Sequence, residues 1–591
     1  MNKFTIQQLQ PMRESEDRVE FKAGEGGNVS YDGRGKTNPK DRRRCILGYV
    51  IALCNEGGGR LVIGMHDNYP HRVTGTRQAQ DACVCSVCHI FRLFIFINTK
   101  IAQVWKKNTI FAHSIFLHYQ INYRKFASMI LNKVRHKLFV IAAFLICSFA
   151  ASFAQFPMMQ VNRDSLNRLT DEDYADMVRQ LGINEPRPGR DPNNPANNRL
   201  PNYDELIANP YLYYPDPFTT FDGKKIRNAK QWNKIRRPEL IEYFEREVYG
   251  RVPADVPAVE WKVLSEEKID MDGIACINRV LSGVVDNSAC PSIKVNIEAS
   301  VVYPEGAVNV PVIVEFGFMA GRPTPKAMSF GPTPPDPAES WQMLVVSRGW
   351  AAATIVTGSI QADGGHGLRR GIVGLCNKGG FRKPDDWGAL RAWAWGASKL
   401  LDYFEEREEF DAKKVAIEGV SRNGKAALVT MVFDQRFAAG FIASSGKGGA
   451  TGWRRFCGES LENLTGAGEY HWMAGNFIKY GADPLTANDL LVDQHEFIGM
   501  CAPRLCLISS GIFDIDKWQD IMGMFMMTHK ASAIYELLGA KGIDTDMVPG
   551  VDVGLLDGQL TYRQHHGGHE AGPNWPIFLD LFQREVVGKK Q

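Results

Sequence analysis

From about residue 299 to residue 510 the chain alternates short apolar runs with helix-length stretches, and this alternation limits the fold more than any other feature. The runs have strand character: ASVVYP near 299, VPVIVEFG near 310, GWAAATIVTG near 349, KVAIEGV near 414, FAAGFIASSG near 437 and RLCLISSG near 504. Between two of them, Asp386 through Glu405 sets Leu390, Trp393, Ala397, Leu400, Leu401 and Phe404 at helical spacing, so that one face is apolar. The tryptophans of that helix belong to a core rather than to a ligand site. Strands alternating with helices specify an α/β fold, a three-layer sandwich with a mostly parallel central sheet covered on both faces.

A chain of 591 residues exceeds one ordinary domain of roughly 100 to 250 residues, so more than one unit is expected. Apolar residues at 44% and charged residues at 23% exclude disorder throughout. A net charge of +3 is small for this length and argues for neither a nucleic-acid nor a membrane-surface partner. The twelve cysteines show no repeated spacing and describe no disulfide scaffold; the downstream six permit bridges without fixing their connectivity.

Residues 129 to 155 carry a secretory signal pattern. Met129 is followed by Lys133, Arg135 and Lys137, an apolar run from Leu138 to Ala151, and small residues Ser152 and Ala154 before a cut at Gln155. The run is shorter than the ~20 residues that span a bilayer, so no stable membrane span is expected. Because a signal peptide acts at the start of a nascent chain, Met129 is the expected natural start and the upstream part is expected to be foreign. Residues 14 to 75 contain ESEDRVEFKAG and RRRCILGYVIALCNEGGGRLVIGMHDN, which resemble the start of a Schlafen-type AlbA-like domain. The resemblance implies a nucleic-acid partner if the fragment folds, with Glu14, Glu20, Lys22 and Asp67 at nuclease-like positions. A half-domain cannot bury a complete core, so these are read as solvated charges. Residues 76 to 128 lose all pattern and are expected to be an unstructured or non-native linker; Cys83, Cys85, Cys88 and His89 there lack the paired spacing of a zinc site. Residues 155 to 204, containing EPRPGRDPNNPANNRLPN, are read as a Pro/Asn-rich linker or wrap, and 205 to 591 as the catalytic domain.

The chemistry concentrates in KVAIEGVSRNGKAALVTMVFD, where a buried strand ends at Glu418-Gly419 and a helix opens soon after Ser421. A nucleophile elbow needs a small residue such as Gly419 where neighbouring backbones approach, and it lifts the serine hydroxyl above the sheet. Gly424 stands one position late compared with the common Gly-x-Ser-x-Gly. The alternative is a helix N-cap serine. Hydrolases of this fold run serine, acid, histidine along the chain, and that order is available. LTYRQHHGGHEAGPNW offers His569 as base, with His565 and His566 as alternatives; IFDIDKWQD after RLCLISSG offers Asp514, Asp516 and Asp520, of which Asp516 is preferred.

The segments GVSRNGKAALV, ASSGKGGATGWRRFCGESLENL, GEYHWMAGNF, CAPRLCLISSG and GGHEAGPNW together resemble bacterial glucuronoyl esterases over about residues 205 to 591. That family cleaves the ester between 4-O-methyl-glucuronic acid branches of xylan and alcohols of lignin, without a metal or other cofactor. The resemblance implies Ser421 as nucleophile, His569 as base and Arg422 as the oxyanion-stabilising arginine, with Lys425, Glu459, Trp472 and Trp518 lining the uronate pocket. Many members carry the triad glutamate where Ser444 stands; others use an Asp-x-Trp loop, the form of Asp516-Lys517-Trp518. The expected substrate is a glucuronoxylan-lignin ester, and the expected protein a secreted or periplasmic monomer cleaved near Ala154. Two alternatives stand beside this reading: an acetyl xylan or related carbohydrate esterase, and a nucleic-acid-binding regulator acting through residues 1 to 75.

Overall fold

The computed structural model describes residues 19–22, 60–63 and 163–588, apart from residues 195–198, 212, 322 and 324–339. The chain divides into two units, Met1–Met158 and Met159–Gln591. In the first, β1 (Val19–Lys22) and β2 (Arg60–Ile63) pair in parallel. Glu20 and Lys22 fall on β1, whereas Glu14, Asp67, the 76–128 segment and the signal pattern ending at Ala154 lie outside the described residues.

The second unit is built on ten strands: β3 (Val259–Met271), β4 (Ile274–Val285), β5 (Asn296–Pro304), β6 (Val310–Gly317), β7 (Ala351–Val356), β8 (Phe410–Val420), β9 (Ala439–Ala443), β10 (Leu505–Ser510), β11 (Gly554–Leu555) and β12 (Leu560–Gln564). They lie in the order β11-β12-β10-β9-β8-β6-β7-β5-β4-β3. From β12 to β7 every pairing is parallel, while β5, β4 and β3 join one edge antiparallel and β11 the other. The long β3–β4 hairpin turns at Asp272-Gly273, both with positive φ (54° and 88°). That is the backbone a two-residue hairpin turn requires.

Side chains alternate across the sheet with period two, which divides the core into two layers. Val312 and Val314 of β6 and Val415 and Ile417 of β8 face a layer that includes α2 (Ala389–Glu405), α3 (Arg422–Phe433) and α4 (Ile521–Leu537). Ile313 and Ala416, one residue on, face the helix Trp341–Val346 and α5 (Trp575–Phe582). Leu390, Trp393, Ala397, Leu400, Leu401 and Phe404 of α2 are each at most 1% exposed, so the apolar face read from spacing is the buried one.

Ahead of the sheet, α1 (Arg163–Leu181) lies inside the stretch expected to be linker or wrap. It buries Met177 and docks through Tyr174, whose hydroxyl donates to the Thr465 carbonyl, and Asp173, which accepts from Tyr470. Extended chain follows it, with Arg187 donating to the carbonyls of Tyr480 and Leu485. No helix among the described residues is long and apolar enough to cross a membrane. Cys276, Cys290, Cys376, Cys457, Cys501 and Cys506 are free thiols.

Candidate active site

Four adjacent parallel strands deliver the candidate groups at one edge of the sheet: β8 ends before Ser421, β9 before Ser444, β10 before the Asp516 loop and β12 before the His569 loop. The carboxyl ends of such strands are where open α/β sheets bind ligands. Ser421 has φ 63° and ψ −129°, a conformation that a side-chain-bearing residue keeps only when its surroundings impose it. Here the Ser421 N–H donates to the Ala443 carbonyl and its own carbonyl accepts from Lys425 N–H, each at 2.9 Å. A Cβ on Gly419 would lie 2.3 Å from the Asn423 carbonyl oxygen, and one on Gly424 2.7 Å from that of Ala443. Both glycines are therefore steric requirements of the elbow, including the one that stands a position late. The Ser421 hydroxyl makes no capping hydrogen bond to α3, which distinguishes it from an ordinary N-cap serine.

Asp516 is 2% exposed, and its Oδ1 lies 2.7 Å from His569 Nδ1. Its Oδ2 accepts from the Ser444 hydroxyl at 2.6 Å and from Gly511 N–H at 2.9 Å. The two acid positions considered from sequence thus converge, with Ser444 holding the aspartate that faces the histidine. Its neighbours do other things: Asp514 is exposed, and Asp520 forms an ion pair with Arg455 at 2.7 Å and caps α4. Of the alternative bases, His565 is fully buried between Glu570 O and Gly567 N, and burial lowers its pKa; His566 pairs with exposed Asp552 at the surface. The described hydrogen bonds join His569 to Asp516 and not to Ser421, and catalytic bonds of this kind often tighten only when substrate binds.

The anion-binding candidates form one connected group. Arg422 is half-exposed, ion-paired to Asp363 at 2.5 Å, with its guanidinium 5.4 Å from the Trp472 ring centroid. Lys425 lies equally close to Trp472 and donates to Glu459 and to the Ser445 carbonyl, each at 2.9 Å. Glu459 also accepts from Lys447 N–H, and its own N–H donates to the carbonyl of Trp518. Two carboxyls that the sequence reading passed over belong to this group. Burial alone would raise Asp363, but hydrogen bonds from His471, Trp472 and Arg422 hold it well below the usual carboxylate range. Glu469 is pushed up to about 8 by burial and by the charge of Glu459, and its Oε2 is buried without a partner among the described residues. It sits in the GEYHW segment already singled out for Trp472; Asp363, in a Gly-rich loop 58 residues before Ser421, carried no such signal.

Both side chains of the Lys425–Glu459 pair are 3% exposed, so removing one strands the other in a poor dielectric. Lys425→Met is expected to cost about 3–5 kcal/mol in chemical denaturation, and the double variant Lys425→Met/Glu459→Leu to recover most of it. A loss in the double variant equal to the sum of the losses in Lys425→Met and Glu459→Leu would mean that the pair is not coupled. One set of metal-type ligand atoms converges among the described residues, on Glu205, Cys457 and Asp520, but Arg455 already bridges the two carboxylates.

A mostly parallel sheet covered on both faces, with a strained serine elbow and an aspartate–histidine pair at the ends of its strands, is the architecture of the α/β-hydrolases. A family model described as fungal glucuronyl esterase matches residues 381–539. A carbohydrate esterase from an unknown prokaryotic organism is 30% identical over 423 residues, covering 67% of this chain and 95% of that protein. The 4-O-methyl-glucuronoyl methylesterase of Podospora anserina is 27% identical over 60% of this chain, which spans 64% of that enzyme's length. Among solved structures, a CE15 glucuronoyl esterase from Teredinibacter turnerae is 40% identical, with 70% of this chain and 99% of that one covered and a TM-score of 0.65. The chain belongs to the glucuronoyl esterase family.

Proposed function

We propose that the chain hydrolyses esters of 4-O-methyl-glucuronic acid, such as those joining xylan to lignin, through an acyl-enzyme on Ser421. The observation that carries this reading is the Ser444–Asp516–His569 hydrogen-bonded series beside an elbow flanked by Arg422 and buried Lys425. The Ser421 oxygen attacks the ester carbonyl carbon and its proton passes to His569, while Asp516 stabilises the imidazolium. Arg422, fixed by Asp363 and Trp472, faces the developing oxyanion together with its own backbone N–H at the start of α3. Collapse expels the alcohol, which takes the proton from His569; water then attacks the acyl carbon with His569 again as base, and the uronic acid leaves. Lys425, Glu459, Trp472 and Trp518 line the sugar side.

The enzyme is further proposed to be exported, with residues 129–154 as signal peptide and the chain from about 155 as the mature protein. Assay of the full chain on a benzyl glucuronate ester beside acetylated xylan tests the substrate class. Turnover of the uronate ester with little acetate release is expected; the opposite preference would assign an acetyl esterase.

A further inference from the structure

On the α5 face of the sheet, beside the elbow, lies a cavity of about 600 Å³ whose described lining includes Val420 and Asn423 but none of Ser421, Arg422, Asp516 or His569. Its floor is a polar row in an otherwise apolar layer. Ser300, Thr354, Glu315 and Glu418 are paired laterally across β5, β7, β6 and β8, so their side chains share one face. Strands this close, ~4.8 Å apart, set the two carboxyls side by side. None of the described lining residues is lysine, arginine or histidine.

The oxygen atoms there are under-used. Glu418 is 2% exposed, and its Oε1 has no hydrogen-bond partner among the described residues. Asn423, 3% exposed, uses its Nδ2 to bond the Phe316 carbonyl and leaves its buried Oδ1 without a partner among the described residues. Asn278, 1% exposed on the same cavity wall, also has an Oδ1 with no partner among the described residues. The Glu315 Oε2 receives a long bond, 3.4 Å, from the Thr354 hydroxyl, and Trp341 also hydrogen-bonds the Glu315 carboxyl. Two adjacent carboxylates, one buried and one partly buried, are costly to keep both ionised without compensation, so the pair is suited to hold a proton or a cation. Burial raises both pKa values, and the charge of Glu315 raises that of Glu418 further.

We propose that Glu315 and Glu418, with the Asn423 amide oxygen and the Thr354 hydroxyl, form a binding site for a hard divalent cation of calcium's size beneath the Ser421 elbow. The donor set is all oxygen, which suits calcium or magnesium and not zinc. Calcium is favoured because it accepts six to eight irregularly placed oxygens, water included, whereas magnesium demands a near-octahedral cage. A cation here ties β6 to β8, the strand that carries the elbow, and its entry displaces any proton the pair holds.

The test uses the full chain stripped with a chelator, followed by equilibrium dialysis against calcium and thermal unfolding with and without it. One saturable calcium per chain and a rise in unfolding temperature of several degrees are expected. Glu418→Gln and Glu315→Gln should each weaken binding by more than roughly 100-fold, while Asp514→Asn, an exposed acid elsewhere, should bind as the parent does. In the chelated state the two glutamine variants should unfold no earlier than the parent, since each removes a like-charge neighbour; lost binding then cannot be blamed on misfolding. Absence of saturable calcium binding by the parent chain would overturn the proposal and leave the pair holding a proton. Parent-like binding by both glutamine variants would overturn it as well.

Discussion

Ser421→Ala is expected to lower ester turnover by on the order of a millionfold while leaving the fold in place. The strained backbone at Ser421 is held by its own N–H and carbonyl, bonded to Ala443 and Lys425, and the hydroxyl takes no part in capping α3. Alanine therefore removes a reacting atom without orphaning a buried polar group or changing the elbow. What remains should be the contribution of oxyanion stabilisation and substrate binding, roughly 10³–10⁴ over water. Turnover of a benzyl glucuronate ester, with thermal unfolding as the fold control, checks this. Retention of a tenth of the rate would place the chemistry elsewhere.

Asp516→Asn should cost roughly 10⁴-fold in kcat, through the tautomer of His569. One carboxylate oxygen of Asp516 receives two donors, the Ser444 hydroxyl and Gly511 N–H, and the other faces His569 Nδ1. An asparagine in this place keeps its single oxygen towards the two donors, so its NH₂ turns to the histidine. His569 must then accept at Nδ1 and carry its proton on Nε2, where it cannot serve as a base for Ser421. Asp514→Asn, on the exposed side of the same turn, should change kcat less than about twofold, within the usual range of a surface substitution. If Asp514→Asn proved the more damaging, the pairing with His569 described above could not be the one that works in catalysis.

Much of the fold was legible because it rests on local regularities. The six apolar runs between 299 and 510 are β5, β6, β7, β8, β9 and β10, and the helical spacing of Leu390 to Phe404 marks the buried face of α2. Their order in the sheet is set by contacts between distant segments and left no local mark. The β3–β4 hairpin went unread although Asp272-Gly273 marks its turn, since much of β3 is exposed and lacks an apolar run. The helix α1 was hidden by its mean polarity: its apolar stripe is short, with only Tyr174, Met177, Val178 and Leu181 packing against the core, beside the polar contact of Asp173.

At the site, residues carried by a motif could be named in advance, and residues recruited by geometry could not. Ser421, Arg422 and Lys425 share one strand-to-helix turn, whereas Asp363 reaches Arg422, His471 and Trp472 from a separate loop. The choice of Asp516 over Asp514 and Asp520 rested on sequence form alone. Three-dimensional packing supplies a reason for it, because the other two aspartates face solvent and Arg455.

The most direct test of the central claim, that this is an esterase working through Ser421, is covalent labelling with a serine-directed phosphonofluoridate followed by peptide mass spectrometry. The account predicts one adduct per chain, on the peptide containing Ser421, with ester hydrolysis lost in proportion to labelling. Stoichiometric labelling at another residue, or full activity in a chain labelled at Ser421, would contradict it.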